Sequence, residues 1–150
     1  GQPTEAGIFA DALGLFDKVQ KKQKRISVMG RSLGSGAATY LAAKRPVEKM
    51  LLISPFDSIK SVAQNKFPIY PMFLLLKDKY DSIGRVKDIS AKTIVLIAEN
   101  DEVIPKKHSL RLISEFPPEQ ITVKTISDAG HNDISNKMEY YDHLKSFLNN

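Results

Sequence analysis

Four short apolar runs alternate with stretches of helical periodicity, and this alternation restricts the fold more than any other feature of the chain. The runs RISVM, KMLLIS, TIVLIA and ITVKTI are rich in β-branched and aliphatic residues. A short run that is apolar on both faces suits a strand covered by other layers on both sides. Ahead of the first run, Thr4 and Glu5 open a segment in which Ile8, Phe9, Ala12, Leu13, Phe16 and Val19 recur at helical spacing, as one buried face requires. After it, the alanine-rich GSGAATYLAAKR stops at Pro46, whose missing N–H cannot continue a helix. Further helices are expected within 58–66, from Lys106 to Glu115 and from Lys137 to Leu148. Pro105 suits a first turn, and Pro117 with Pro118 closes that helix. Helices between strands point to parallel pairing, so the expected class is α/β: a mostly parallel sheet with helices on both faces. The segment FPIYPMFLLLKDKYDSIGRV carries too many prolines for one long helix.

The chain is 150 residues long and 42% hydrophobic, which suits a single domain over 1–150 with a core of its own. It has no cysteine, so disulfides, thiolate metal sites and cysteine nucleophiles drop out. Its longest apolar stretches, MLLI and PMFLLL, fall far short of the ~18 residues of a membrane span, and a soluble, cytoplasmic protein is expected. The net charge of +5 includes the cluster Lys18, Lys21, Lys22, Lys24 and Arg25. No aromatic residue interleaves with these cations and no nucleic-acid motif accompanies them, so they read as a solvated turn, and no nucleic-acid partner is expected.

Chemistry concentrates in GRSLGSG. Gly30-Arg31-Ser32-Leu33-Gly34 fits G-x-S-x-G and lies between a predicted strand and a predicted helix, the context in which the pattern places a serine at the tip of a strained turn. Glycine on either side would avoid clashes between strand and helix. The helix that starts there offers backbone N–H groups, that of Leu33 first, to a developing oxyanion. A bland alternative is a glycine-rich turn that merely lets a helix pack closely; a phosphate loop is disfavoured by the missing Walker lysine. A serine hydroxyl needs a base to take its proton and a carboxylate to hold that base. Of the three histidines, His108 and His143 fall within predicted helices at surface or partly packed positions, whereas His131 lies in DAGHND, a loop after the last strand. For the acid, Asp101 follows TIVLIA in AENDEVIP, with Glu99, Glu102, Asp128 and Asp133 as rivals. Asp133 is also placed to cap the final helix. The order Ser32, Asp101, His131 is the one found with hydrolase elbows. A histidine base works in its neutral form, so activity is expected to rise with pH through the imidazole titration.

With these motifs in that order, the chain resembles the α/β-hydrolase superfamily of serine hydrolases, above all its small esterases, acyl-protein thioesterases and prolyl-oligopeptidase-like peptidases. GRSLGSG, AENDEVIP, AGHND and the early PTEA carry the resemblance, which spans essentially the whole chain. It implies Ser32 as nucleophile, Asp101 as orienting acid, His131 as general base and acid, and Leu33 N–H as an oxyanion donor. The implied reaction is cleavage of an ester, thioester or amide of a small-molecule or acyl substrate, with no metal or organic cofactor needed. Relatives carry further strands and a second oxyanion donor before the stretch matching GQPTEA. The 150 residues are therefore expected to be the C-terminal part of a longer hydrolase. The nucleophile strand would then be a bare edge prone to self-association, and the isolated chain weak in activity. The alternative is a binding or scaffold module that keeps the fold without turnover. Phe67, Tyr70, Met72, Phe73 and Leu74 would line an acyl site or pack on the sheet, packing being the simpler expectation. PIYPMFLLL is also apolar enough for membrane contact.

Overall fold

A computed structural model describes residues 4–150, apart from the side chain of Phe73. The first three residues, with the proline of PTEA, and the Phe73 side chain proposed for an acyl site lie outside the described residues. Helix α1 (Glu5–Gln20) starts where the sequence places it, with Thr4 Oγ1 accepting from Gly7 N at 3.1 Å. Strand β1 (Ser27–Arg31) begins two residues beyond the start of RISVM, because it aligns from Ser27 opposite Lys49 to Arg31 opposite Ile53 of β2 (Lys49–Ile53). Gly30 and Arg31 are thereby strand residues rather than part of the turn. Helix α2 (Leu33–Lys44) connects the two strands.

From β2 the chain passes through α3 (Ile59–Lys66), the single turn α4 (Met72–Leu75) and a 3-10 segment, Ile83–Asp88, to β3 (Lys92–Ala98). Helix α5 (Lys106–Ile113), β4 (Ile121–Ile126) and α6 (Met138–Asn149) complete it. The described strands pair in parallel in the order β1-β2-β3-β4, so each neighbour in sequence is a neighbour in the sheet. β1 and β4 are its edges, and Met29 and Val123 on them are exposed.

Alternation along the central strands divides the core. Met50, Leu52, Val95 and Ile97 face α1, α2 and α5, where they meet Phe16, Leu41, Ala42 and Leu112. Leu51, Ile53, Ile94 and Leu96 face the other way, onto Tyr140 and Leu144 of α6. Both faces of the central strands are therefore dry, which is why those runs read as continuously apolar. Lys49 is the exception in β2: it is 7% exposed, and its Nζ donates to the carbonyls of Phe147 (3.1 Å) and Leu148 (2.8 Å). A cation at the C-terminal end of α6 answers carbonyls that have no helical donor.

The basic segment is exposed throughout, as expected of a solvated turn. Two of the surface guanidiniums form forked pairs: Arg25 with Glu48 and Arg45 with Asp17. Each hydrogen-bonded guanidinium holds its carboxyl below the ordinary value, 3.8 for Asp17 and 4.5 for Glu48. Depressed carboxyls add stability that is complete above their ordinary range and is lost as pH falls through the lowered values. Asp17→Asn/Glu48→Gln should therefore melt in urea slightly earlier than the parent at neutral pH. The two should coincide near pH ~2, where every carboxyl is protonated.

The segment 67–75 differs from the packing expectation. Phe67, Tyr70 and Leu74 are 50%, 58% and 72% exposed, and Ile69 is 91% exposed. Gln64 holds this loop by its polar groups instead: its amide donates to the carbonyls of Pro68 and Tyr70 and accepts from Met72 N. A backbone looped around one amide leaves Phe67, Ile69, Tyr70, Leu74 and Leu75 turned outward.

Candidate active site

The turn after β1 is shaped by one close approach. A Cβ on Gly30 would stand 2.4 Å from the Gly34 carbonyl oxygen and 2.8 Å from the Ala38 Cβ, so α2 passes directly over a position that tolerates only hydrogen. A Cβ on Gly34 would meet nothing within 4 Å. The two glycines of the motif thus have different reasons: Gly30 makes room, and Gly34 supplies the backbone for which room is made. Between them Ser32 adopts φ 50°, ψ −122°. A left-handed conformation in a residue with a Cβ costs about 1–3 kcal/mol and persists only where surrounding bonds enforce it. Here Ser32 N donates to Ile53 O at 2.9 Å, and Ser32 O accepts from Ser35 N at 2.9 Å and Ser35 Oγ at 2.6 Å. Leu33 is the first helical residue, so its N–H has no acceptor within α2.

Two loops at the carboxyl ends of β3 and β4 meet this turn. They are laced together by Glu99 N to Ile126 O (3.1 Å) and Asn100 N to Ala129 O (2.8 Å). Asp101 Oδ1 accepts from Val103 N at 3.0 Å and Ile104 N at 2.7 Å, which closes the loop before α5 and aims the carboxylate across to the second loop. His131 Nδ1 lies 2.8 Å from Asp101 Oδ2, and its Nε2 lies 2.9 Å from Ser32 Oγ. The Asp101 and His131 side chains are 2% and 10% exposed. Because Asp101 already accepts from two backbone N–H groups, it is an acceptor toward the ring as well. Nδ1 therefore carries the hydrogen, and the Nε2 lone pair faces the serine hydroxyl.

Sequence reasoning had no signal for two further contacts. Arg31, inside the glycine-serine motif, donates from Nη2 to the His131 carbonyl oxygen at 2.7 Å, tying the His131 loop to β1. The same guanidinium lies near Tyr140, whose phenol is pushed above its ordinary value of 10.0 by burial and drawn partly back by Arg31. Asp133 accepts from Gly130 N at 2.6 Å and so closes the His131 loop; α6 has no side-chain cap. Glu99 accepts from Asp128 N at 3.0 Å, Asp128 has a left-handed φ of 50°, and Glu102 is exposed. His143 is half-buried on α6. His108, expected at a surface or partly packed position, is buried further than that: it is 1% exposed and pairs with Asp57. Its partner lies 51 residues away, beyond any local pattern. A cavity of about 440 Å³ lies against His131, lined also by Asn100, Val103 and Asn132.

No protein-family model matches the chain. An uncharacterized protein of Mycobacterium tuberculosis is 34% identical over 138 residues, which cover 89% of this chain and 48% of that protein. The human alpha/beta hydrolase domain-containing protein 17B is 29% identical over 99% of this chain and 51% of its own length. Bovine lysophosphatidylserine lipase ABHD12 is 33% identical over 79% of this chain and 35% of its own. The chain thus spans about half the length, or less, of the curated relatives it matches. Among solved structures, acetyl xylan esterase 1 of Thermoanaerobacterium superposes with a TM-score of 0.73 at 21% identity, over 93% of this chain and 51% of the esterase. A meta-cleavage product hydrolase of Pseudomonas fluorescens superposes with a TM-score of 0.74 at 15% identity, over 99% and 73%. Among the described residues, no helix is long and apolar enough to cross a membrane.

Proposed function

Since the chain belongs to the α/β-hydrolase superfamily, we propose that it is the nucleophile-bearing part of a serine hydrolase that cleaves carboxylic esters through an acyl-enzyme. The observation that supports this reading is the unbroken relay from Ser32 Oγ through the His131 ring to the Asp101 carboxylate, at 2.9 Å and 2.8 Å. His131 Nε2 takes the hydroxyl proton as Oγ attacks the carbonyl carbon. The oxygen of that carbonyl gains the charge, and the Leu33 N–H is the donor in place to meet it. Collapse breaks the bond to the leaving alcohol, which receives the proton back from Nε2. Water, deprotonated by the same nitrogen, then releases the acid. Asp101 keeps the ring in one tautomer throughout and stabilises the transient imidazolium. Thioesters and amides follow the same steps. Esters come first because the lipase and the esterase among the similar proteins share that bond.

The full-length protein should form a covalent adduct on Ser32 with a fluorophosphonate probe, and Ser32→Ala and His131→Ala should not. An unlabelled but folded parent protein would instead favour a binding module. Arg31 acts here as a positioning residue. Arg31→Met should lower kcat about tenfold, the worth of one charge-assisted hydrogen bond, with KM little changed. Arg31→Lys should recover part of the loss, whereas equal kinetics for all three would remove that role.

A further inference from the structure

The loop that Gln64 holds open exposes more than isolated apolar side chains. Phe67, Ile69, Tyr70, Leu74 and Leu75 are exposed together with Pro68 and Pro71, all within 67–75. Single apolar residues at a surface need no explanation, but a run of them marks a surface that something covers.

The charges around the run say what covers it. Lys66 precedes it, and Lys77 and Lys79 follow; all three are exposed, and none has an ion-pair partner among the described residues. Over 60–79 the chain carries four lysines against the single carboxylate of Asp78. Lysine is depleted where two protein surfaces meet, because its strongly hydrated ammonium resists burial. A second copy meeting this face with its own loop would also set lysine against lysine. At a bilayer the same residue is favourable: its stem lies along apolar groups, its ammonium stays among the headgroups, and an anionic leaflet attracts it. Tyr70, with an apolar ring and a polar hydroxyl, suits the same depth. Because α4 is a single turn, such a loop would lie on a membrane and not across it.

Its position relates it to the relay. The loop hangs from α3, which enters from the carboxyl end of β2 and packs through Ile59 and Val62 on the cluster that holds Phe56 and Ile104. Ile104 N is one of the two donors to Asp101 Oδ1. The apolar run and the relay therefore belong to the same end of the sheet.

We propose that the 67–75 loop is a docking surface for an anionic membrane: Phe67, Ile69, Leu74 and Leu75 enter the headgroup boundary, and Lys66, Lys77 and Lys79 meet the lipid anions around them. The docking does not depend on Ser32 being a nucleophile.

The test uses full-length protein with phosphatidylcholine vesicles, with and without phosphatidylserine. Tyr70→Trp places a reporter in the loop itself, since these 150 residues hold no other tryptophan. Its emission, measured against the parent's, should move to the blue and be quenched by brominated lipid when phosphatidylserine is present. In that background Ile69→Ser/Leu74→Ser, both at exposed positions and so compatible with folding, should raise the lipid needed for half-maximal quenching about tenfold or more. Lys66→Gln/Lys77→Gln/Lys79→Gln should do the same, and added salt should reproduce that loss in the parent sequence. Ser32→Ala should dock like the parent. An indole that brominated lipid leaves unquenched overturns the proposal, as does quenching that neither set of substitutions weakens. Self-association lost in Ile69→Ser/Leu74→Ser while quenching persists would assign the face to a second copy and overturn it too.

Discussion

If the proposed function holds, Ser32→Ala, His131→Ala and Asp101→Asn should each lower turnover of an aryl ester by about 10⁴-fold or more in the full-length protein, and the triple variant by little beyond the worst single one. The reason is that in the proposed mechanism one proton path runs through all three side chains, so breaking any link stops it. Asp101→Asn is the most instructive of the three. Its side-chain oxygen can still accept from Val103 N and Ile104 N, the two bonds that shape the loop. Its amide, however, would donate toward Nδ1 and turn the imidazole to the tautomer whose Nε2 carries hydrogen, which cannot take a proton from Ser32. Melting temperature should therefore hold while kcat collapses. Losses that multiply across the triple variant would mean that the residues do not work as one unit, and a fully active Asp101→Asn would remove the acid from the assignment.

The second large effect is expected at Gly30, where one added methyl group should damage both fold and chemistry. The methyl would have to occupy space 2.4 Å from the Gly34 carbonyl oxygen, a backbone atom that cannot rotate aside. Relief requires moving the start of α2, and with it the strained backbone of Ser32. Forced overpacking of this kind costs about 3 kcal/mol, which at this chain length lowers Tm by about 10 °C. Gly34→Ala is the internal control: its Cβ meets nothing within 4 Å, and alanine is the better helix former. That variant should melt at or slightly above the parent temperature. If the two substitutions proved equally harmful, the tight contact under α2 would not be what gives the motif its first glycine.

Much of this molecule is legible one residue at a time. The face of α1 with Phe9 and Phe16 follows from helical spacing, and the stop at Pro46 from a missing donor. β2 and β3 are recognisable because each is an apolar run too short for a core helix and is bounded by turn residues, as a strand buried on both faces reads. The edges are harder. β1 reads two residues early, since its ends are set by the register with β2 rather than by its own composition. The outward turn of Phe67, Ile69, Tyr70 and Leu74 also escapes a sequence reading, because Gln64 decides it through bonds to a backbone that has no side-chain signature.

The site divides the same way. Motif and order are sequence properties, so Ser32, Asp101 and His131 can be singled out in the chain: a sharp turn needs small neighbours, and each loop announces itself by following an apolar run. Whether their atoms meet is a property of the parallel sheet, which sets the carboxyl ends of β1, β3 and β4 at one edge of the layer and so brings residues 30 and 99 positions apart within hydrogen-bond reach. Arg31 on the His131 carbonyl and Asp57 on His108 belong wholly to that second kind. Nothing local selects such partners, because long-range contacts are chosen by how the layers pack and not by the residues on either side.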